Sequence, residues 1–153
     1  MDTTNLRRDD LLKLERQLCF GLAVASRAVI SAYKPVLDPM GLTHPQYLVM
    51  LALWEHGPIG ARELSEKLHL DPGTLTPLVK RLEKAGLLER RKNPRDERAI
   101  LIEITAQGNA LREHALDVPS QMMQRLNLSE EKVVELCEIL GSVVNAGISA
   151  PRE

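Results

Sequence analysis

Several features that mark large classes of protein are scarce or missing in this chain of 153 residues. One Trp, two Tyr and one Phe are too few aromatic side chains for a stacking platform that binds single-stranded nucleic acid. The two cysteines, Cys19 and Cys137, have no CxxC spacing and cannot form a disulfide framework. The four histidines include no HxxxH pair, so the metal-binding signal is weak and we expect neither a metal ion nor a cofactor.

Long apolar runs and a strong net charge are also absent. The longest uninterrupted apolar run, 47–54, is far shorter than a membrane span, and the first ten residues contain no apolar signal core. We therefore expect a cytoplasmic protein without a membrane partner. The formal net charge is −1, and a content of 44% hydrophobic and 27% charged residues is typical of one globular domain, here residues 1–153.

The charge that is present is concentrated in one segment. Residues 80–98 contain eight basic and four acidic side chains, a local charge of +4, so the remainder of the chain carries −5. A basic patch on an acidic body is what a localised phosphate-binding surface requires. Taken alone, such a cluster is also consistent with a solvated helix face followed by a charged loop.

The N-terminal part of the chain predicts an unusually apolar helix. Residues 18–33 contain a single charged side chain, Arg27. A helix that is apolar on almost every face must be buried against other protein on every side. We therefore expect it to lie partly in a subunit interface. Pro35, Pro39 and Gly41 are expected to end this helix.

A pair of shorter helices follows. Residues 43–46 form a capping box with proline in the first turn, which predicts a helix that continues through Trp54. The segment 57–60 interrupts it, and 61–69 predicts a short helix with leucines spaced four residues apart. Asp71 can then cap the second helix of a helix–turn–helix pair.

The next elements predict a helix and a β-hairpin. Pro72 suits the first position of the helix, Pro77 is expected to distort it, and Gly86 is placed to stop it. After Gly86 the hydrophobic period changes, and residues 87–104 read as two strands joined by a turn-rich tip at 93–96. A helix–turn–helix followed by a β-ribbon is a winged helix, whose second helix enters the major groove while the ribbon tip reaches the backbone or minor groove.

The rest of the chain predicts two more helices, which begin after Thr105 and Ser129. The fold class is therefore mainly α with a small β-ribbon, and the winged helix–turn–helix covers about 45–104. Its basic patch falls on the two elements that would contact DNA. The candidate DNA-binding residues are Gly73, Thr74, Thr76, Lys80, Arg81, Arg95 and Arg98.

The winged-helix segment resembles the MarR family of bacterial regulators. The similarity is specific in residues 75–87, in Asp96-Glu97-Arg98 and in 104–108. The resemblance implies that Arg98 enters the minor groove and that Asp96 orients it. It also implies a homodimer whose interface is formed by helices from both ends of the chain.

The flanking helices that this resemblance assigns to dimerisation cover about 8–37 and 105–148. The first of these regions narrows the similarity further. Residues 18–20, 33–35 and 42–48 resemble the organic hydroperoxide resistance regulators within the MarR family.

This narrower resemblance implies that Cys19 senses peroxide and that Tyr33 and position 44 hydrogen-bond to it. Position 44 is His here, where those regulators have Tyr. Their two-cysteine branch has a resolving cysteine just before the last helix, but no cysteine lies between residues 120 and 130. Cys137 lies between Leu136 and Ile139 on the last predicted helix. We therefore expect it to be a packing residue rather than the thiol that resolves an oxidised Cys19.

Only a thiolate attacks a peroxide, so a sensing Cys19 needs neighbours that favour the anion. Arg16, a nearby helix start and a tyrosine hydroxyl are the candidates. Tyr33 lies fourteen residues away, about 21 Å along a continuous helix, and cannot reach Cys19 of its own chain. A twofold axis near Ser26 would place Tyr33 of the partner subunit over Cys19, and we predict a sensor assembled across the dimer.

The roles of the other residues near the sensor stay open. His44 could donate a hydrogen bond to the sulfur, stabilise the thiolate if protonated, or simply be part-exposed in the first helical turn. Tyr47 belongs to the candidate sensor pocket, although Tyr47 and Trp54 are more typical of a core.

We therefore predict a DNA-binding transcriptional repressor, not an enzyme, that senses organic hydroperoxides through Cys19. Oxidation to a sulfenic acid, followed by capping with a low-molecular-weight thiol, would disturb the dimer interface. DNA requires recognition helices about 34 Å apart, so a changed separation releases the operator.

Four alternatives stay open. The chain could be a MarR-type repressor relieved by a phenolic or other small apolar ligand in the cleft between the dimer interface and the DNA-reading segment. It could also be a thiol peroxidase that uses Cys19, a metal sensor or an architectural DNA-binding protein. A peroxidase would turn over hydroperoxide with a thiol donor, whereas a sensor reacts once per reductive cycle.

Overall fold

The structure is a computed structural model that describes residues 8–149. Short 3-10 segments lie at Arg8–Leu12, Leu14–Arg16 and Asp38–Met40. The α-helices are α1 Leu18–Leu37, α2 His44–His56, α3 Ala61–Lys67, α4 Pro72–Lys84, α5 Ala106–Ala115, α6 Val118–Leu126 and α7 Glu130–Ser149. The strands are β1 Ile59–Gly60, β2 Leu88–Asn93 and β3 Asp96–Ile104. This order of elements confirms the predicted mainly helical winged-helix fold.

The wing is part of a three-stranded antiparallel sheet with the order β1-β3-β2. The β2–β3 hairpin was predicted, and its register pairs Leu88 with Ile104 and Arg90 with Ile102. On its other side Ile102 pairs with Ile59 of β1, which anchors the hairpin base to the core. The sequence did not indicate β1, because a strand of two residues has no periodicity.

The core lies where α2, α4 and the sheet base meet. Both faces of α2 are largely buried, which explains why its sequence is a continuous apolar run. The amphipathic α4 instead buries one stripe and exposes its polar face. The largest fully buried side chains are Leu37, Val49, Met50, Leu53, Leu64, Leu82, Leu88, Ile102 and Val118.

The predicted helix caps are present. Thr43 and Gln46 form the reciprocal capping box of α2, and the Asp71 carboxylate accepts the Thr74 amide hydrogen at 2.8 Å. Thr105 caps α5. Gly86 follows α4 at a φ of +78°, a left-handed conformation that glycine adopts without steric cost.

Two predicted details were wrong. Pro35 does not end α1, which continues to Leu37 because the last turn buries Val36 and Leu37, and this burial offsets one missing hydrogen bond. The region after Thr105 forms three helices rather than two, because the first predicted helix is interrupted between Ala115 and Val118, where α5 ends and α6 begins. Pro77 lies inside α4, which continues past it, and the local distortion expected there stays a prediction.

The long terminal helices α1 and α7 expose much apolar surface. The only buried residues of α1 are in its last turn, and no residue of α7 whose burial is described is buried. The exposed apolar side chains on α1 are Leu18, Phe20, Leu22, Val24 and Ile30, and those on α7 are Val134, Leu136, Ile139, Val143, Val144 and Ile148. Among the helices within residues 8–149, none is long and apolar enough to cross a membrane.

Candidate nucleic-acid interface and cysteine site

The start of α4 presents two threonines whose hydroxyl hydrogens are used inside the helix. The Thr74 hydroxyl donates to the Asp71 carboxylate at 3.1 Å, and the Thr76 hydroxyl donates to the Pro72 carbonyl at 2.7 Å. Both side chains are exposed, so each hydroxyl oxygen still offers a lone pair to a donor from outside. The two threonine hydroxyls are therefore presented to solvent, where they can accept hydrogen bonds from outside. Gly73 lies beside it in the first turn, also exposed.

One helical turn further on, α4 presents basic side chains. Lys80, Arg81 and Lys84 are exposed on the solvent side of the helix. None of the ion pairs between residues 8 and 149 involves any of the three. Their charges are thus available to a phosphate backbone.

The wing tip carries two further exposed arginines, Arg95 and Arg98. The turn is shaped by side chains, since the Asn93 side-chain oxygen accepts the Arg95 amide hydrogen at 3.0 Å. The Asp96 carboxylate accepts the backbone amide of Arg98, also at 3.0 Å. Asp96 was expected to orient the Arg98 side chain, but in the described chain it holds the backbone and forms no ion pair with that guanidinium.

Two of the basic residues in the patch are neutralised by carboxylates, which sequence reasoning missed. Arg90 on β2 pairs with Glu83 on α4 at 3.0 Å, and Arg91 pairs with Glu103 on the neighbouring strand at 2.9 Å. The hydrogen bonds from Arg90 lower the pKa of Glu83 below its ordinary value. The Arg91 pair is the cross-strand neighbour type that a register would predict, whereas the Arg90 pair joins separate elements.

A small apolar cavity lies between α4 and the sheet. Its volume is about 230 Å³. Its walls are Ala61, Leu75, Thr76, Val79, Arg90, Ile100 and Ile102. The cavity therefore lies between the outward part of α4 and the middle of the sheet, next to the core that joins α4 to the hairpin base.

Cys19 lies in the first turn of α1, one residue after the helix begins, and is exposed. The N-cap residue Gln17 makes no side-chain capping bond, because its amide donates backwards to Leu11 and Lys13 carbonyls. The unpaired amide hydrogens and the positive end of the helix dipole favour a negative charge at such a position. Arg16 closes the preceding 3-10 segment, three residues before Cys19.

Tyr33, His44 and Tyr47 form an aromatic cluster at the other end of α1. The ring centroid of Tyr33 lies 5.1 Å from that of His44 and 5.8 Å from that of Tyr47. Burial raises the pKa of Tyr33, with a smaller contribution from Cys137. Burial, followed by the neighbouring Tyr33, raises the pKa of Tyr47 to about 12.

Burial also lowers the pKa of His44, which favours its neutral form. Tyr47 is buried, as expected of a core residue, and the half-buried Trp54 donates its indole N–H to the Gly108 carbonyl at 3.2 Å. Cys137 is exposed within the single chain, and the prediction that it packs on α7 rather than resolving an oxidised Cys19 stays a prediction.

The predicted sensor residues fall into two groups within one chain. Since α1 is continuous, Cys19 and Tyr33 are about 21 Å apart along its axis. Cys19 and Arg16 lie at one end, and Tyr33, His44 and Tyr47 lie at the other.

Comparison with known proteins gives consistent results. The sequence profile of the MarR family matches residues 42–100. The organic hydroperoxide resistance transcriptional regulator of Bacillus subtilis is 44% identical over 127 residues, which cover 83% of this chain and 86% of that protein.

Two solved structures of AbfR, a protein of Staphylococcus epidermidis, are similar over nearly the whole chain. Reduced AbfR bound to DNA has a TM-score of 0.76 and 30% identity, covering 94% of this chain and all of that one. Overoxidized AbfR bound to DNA has a TM-score of 0.72 and 30% identity, with coverages of 92% and 99%.

Proposed function

The chain belongs to the MarR family of transcriptional regulators, and from that premise we propose that it is a repressor that senses organic hydroperoxides. The observation that carries the proposal is the position of Cys19, exposed in an uncapped first helical turn that favours an anion. The 44% identity with a hydroperoxide resistance regulator supports the same chemistry.

Operator DNA is the proposed macromolecular partner. The recognition helix α4 would enter the major groove with Gly73, Thr74, Thr76, Lys80 and Arg81 towards the duplex. The wing would place Arg95 and Arg98 at the backbone or minor groove, with the Asp96 carboxylate holding the turn. Similarity to AbfR, which has been solved on DNA, supports this interface.

The proposed active form is a homodimer. Segments 8–37 and 105–148 would form its interface around a reading segment of about 45–104, because α1 and α7 leave long apolar faces uncovered within one chain. A twofold axis near Ser26 would bring Tyr33 and His44 of the partner subunit over Cys19. Their neutral side chains can donate hydrogen bonds to the sulfur.

The proposed chemistry is a two-electron oxidation. The Cys19 thiolate attacks the terminal oxygen of a hydroperoxide, the O–O bond breaks, and sulfenate and an alcohol form. A low-molecular-weight thiol then condenses with the sulfenic acid, giving a mixed disulfide and water. The added bulk at the dimer interface changes the spacing of the two recognition helices, and the operator is released.

Titration of DNA binding with tert-butyl hydroperoxide tests this proposal. The probe is a duplex that the reduced protein selects from a random-sequence pool, and anisotropy reports binding before and after oxidant and glutathione are added. We expect release from DNA for the unaltered protein and for Cys137→Ser, with Cys19 gaining an oxygen or a glutathione in the intact mass. Cys19→Ser should bind the duplex equally well and ignore the oxidant, and release of that variant by hydroperoxide would contradict the assignment.

A second candidate function is a MarR-type repressor relieved by a small phenolic or apolar ligand. The cavity of about 230 Å³ beside α4 favours it, although it lies within the reading segment rather than beside the dimer interface. Under this alternative a phenolic acid releases DNA equally well with and without reductant, and from Cys19→Ser as well. A thiol peroxidase is disfavoured because the relatives are regulators, and it would consume many equivalents of hydroperoxide per chain.

A further inference from the structure

The Glu83–Arg90 pair joins the recognition helix to the wing through three hydrogen bonds. One Glu83 carboxylate oxygen accepts the backbone amide hydrogen of Arg90 at 2.9 Å and its side-chain Nε–H at 3.2 Å. The other oxygen accepts from Nη2 at 3.0 Å. A bidentate arginine–carboxylate pair with an added backbone bond has far more geometric definition than an ordinary surface ion pair.

This pair bridges a gap that apolar packing leaves open. The cavity of about 230 Å³ separates α4 from the middle of the sheet, and Arg90 forms part of its wall. The strand β2, which carries Arg90, is an edge strand of the sheet, so only β3 supports it by backbone pairing. Apolar packing holds α4 only to the base of the hairpin, so above that base the angle between the wing and α4 depends on this polar contact.

Because the pair lies near the base of the hairpin, a small change in its geometry produces a larger displacement at the wing tip. Arg90 is opposite Ile102, near the buried base of the hairpin, and Arg98 lies four residues before Ile102 in β3, towards the wing tip. Four residues of strand are about 13 Å long, so a tilt of the hairpin by about 10° at its base displaces the backbone at Arg98 by about 2 Å. The minor groove is only about 6 Å wide, so such a shift would withdraw a side chain placed in it.

We propose that Glu83 and Arg90 are positioning residues that fix the wing relative to the recognition helix, so that helix and wing engage adjacent grooves of one duplex together. This inference rests on the proposed DNA interface. It also explains why the basic patch retains a carboxylate at Glu83, where a negative charge near phosphates would otherwise weaken binding.

Glu83 could affect DNA binding through its charge alone or by positioning the wing. These two roles predict opposite changes in DNA affinity for Glu83→Gln, which makes this variant decisive. If Glu83 acts only through its charge, removing that charge tightens DNA binding. If it positions the wing, Glu83→Gln weakens binding to the selected duplex, by about tenfold, the effect of losing one well-placed arginine contact. The matched control is Glu103→Gln, which removes the carboxylate partner of Arg91 between two strands that backbone hydrogen bonds already hold together. This control should bind as well as, or more tightly than, the unaltered protein.

A double-mutant cycle separates positioning from general destabilisation. Glu83→Gln combined with Arg98→Ala should bind no more weakly than Arg98→Ala alone, because displacing the wing costs no further affinity once the Arg98 contact has been removed. Additive losses, or tighter binding by Glu83→Gln, would overturn the inference. Circular dichroism and thermal melting check that each variant is folded, and Glu83→Gln is chosen because it keeps the side-chain volume.

Failure of the underlying interface would look different. If Lys80→Ala and Arg98→Ala both bind DNA as tightly as the unaltered protein, α4 and the wing do not form the interface. If those two variants lose affinity while Glu83→Gln does not, the interface stands and the positioning role is wrong.

Discussion

At the scale of single residues, the aromatic cluster of Tyr33, His44 and Tyr47 consists of neutral hydrogen-bonding groups. Burial lowers the pKa of His44 and raises those of both tyrosines, Tyr47 to about 12. A neutral imidazole can donate one hydrogen bond but cannot act as a cation, so the structure disfavours stabilisation of a thiolate by protonated His44. Any help that this cluster gives to a sulfur anion therefore comes through hydrogen bonds.

The lowered pKa of His44 makes folding sensitive to mild acid. The unfolded chain binds a proton at this position at a higher pH than the folded chain, so the free energy of unfolding falls as the pH drops from about 7 to about 5. We expect His44→Gln to flatten this dependence. Denaturant unfolding across that pH range at one protein concentration measures it.

The matched control is His69→Gln. His69 is exposed in the turn between α3 and α4 and should leave the slope unchanged. A slope that survives in His44→Gln but disappears in His69→Gln would contradict the assignment.

At the scale of elements, α5 is attached to the reading segment by a tight joint. The Thr105 hydroxyl donates to the Gly86 carbonyl at 2.6 Å and accepts the Gly108 amide hydrogen at 3.1 Å. A Cβ atom at Gly108 would lie 2.0 Å from the Leu87 carbonyl oxygen, so only glycine allows this approach. The joint links α5 directly to the turn that follows α4.

Gly108→Ala should therefore lower the free energy of unfolding by about 1–3 kcal/mol, the usual cost of overpacking, because the backbone contact cannot move aside as a flexible side chain would. Gly73→Ala is the matched control, since its new Cβ would meet the Asp71 carboxylate at an ordinary 3.6 Å. That control should be neutral or stabilising, as alanine favours helix. Thermal unfolding compares the stability of the two variants. Equal stability would contradict the claim that the approach of Gly108 to the Leu87 carbonyl requires glycine.

The recognition helix should contribute mostly sequence-independent affinity through its basic residues. We expect Lys80→Ala to weaken selected and unrelated duplexes alike, and to reduce the slope of log affinity against log salt by about one. Arg62→Ala removes an equal charge from α3, where Arg62 is paired with Glu66, and serves as the control. An unchanged salt slope in Lys80→Ala would remove this residue from the interface.

The elements that the sequence predicted are those set by local rules. Caps at Thr43, Asp71 and Thr105 depend on neighbouring residues and were all identified correctly. Contacts such as Glu83 with Arg90 depend on how two elements pack, so no spacing along the chain indicated them. The separation of Cys19 from the aromatic cluster followed from helix geometry alone, whereas their proposed approach across a dimer depends on a second subunit, which no spacing along one chain specifies.

At the scale of the whole molecule, the exposed apolar faces of α1 and α7 require an explanation. Val134 and Ile139 are each 53% exposed, and Ile148 is 62% exposed. A monomer would leave these faces in water at a large hydrophobic cost. The proposed twofold dimer would cover both helices and remove that cost, and it would complete the proposed sensor.

Ile139→Lys should therefore shift the protein from dimer towards monomer, because burying an unpaired charge in an interface is unfavourable. We expect operator affinity to fall with it, since two recognition helices no longer bind together. Ile139→Ala removes apolar area without adding charge and should weaken the dimer less. Sedimentation velocity over a dilution series measures the assembly, and a dimer that is unaffected by Ile139→Lys would place the interface elsewhere.

Trp54 is the single tryptophan of the chain, and its indole N–H is bonded to Gly108 at the joint with α5. Intrinsic fluorescence of each subunit therefore comes from one chromophore, located where the dimerisation and reading segments meet. A rearrangement of α5 would change the polarity around this indole and shift its emission wavelength. Stopped-flow fluorometry of the unlabelled protein could then time the movement of the joint separately from the oxidation of the thiol.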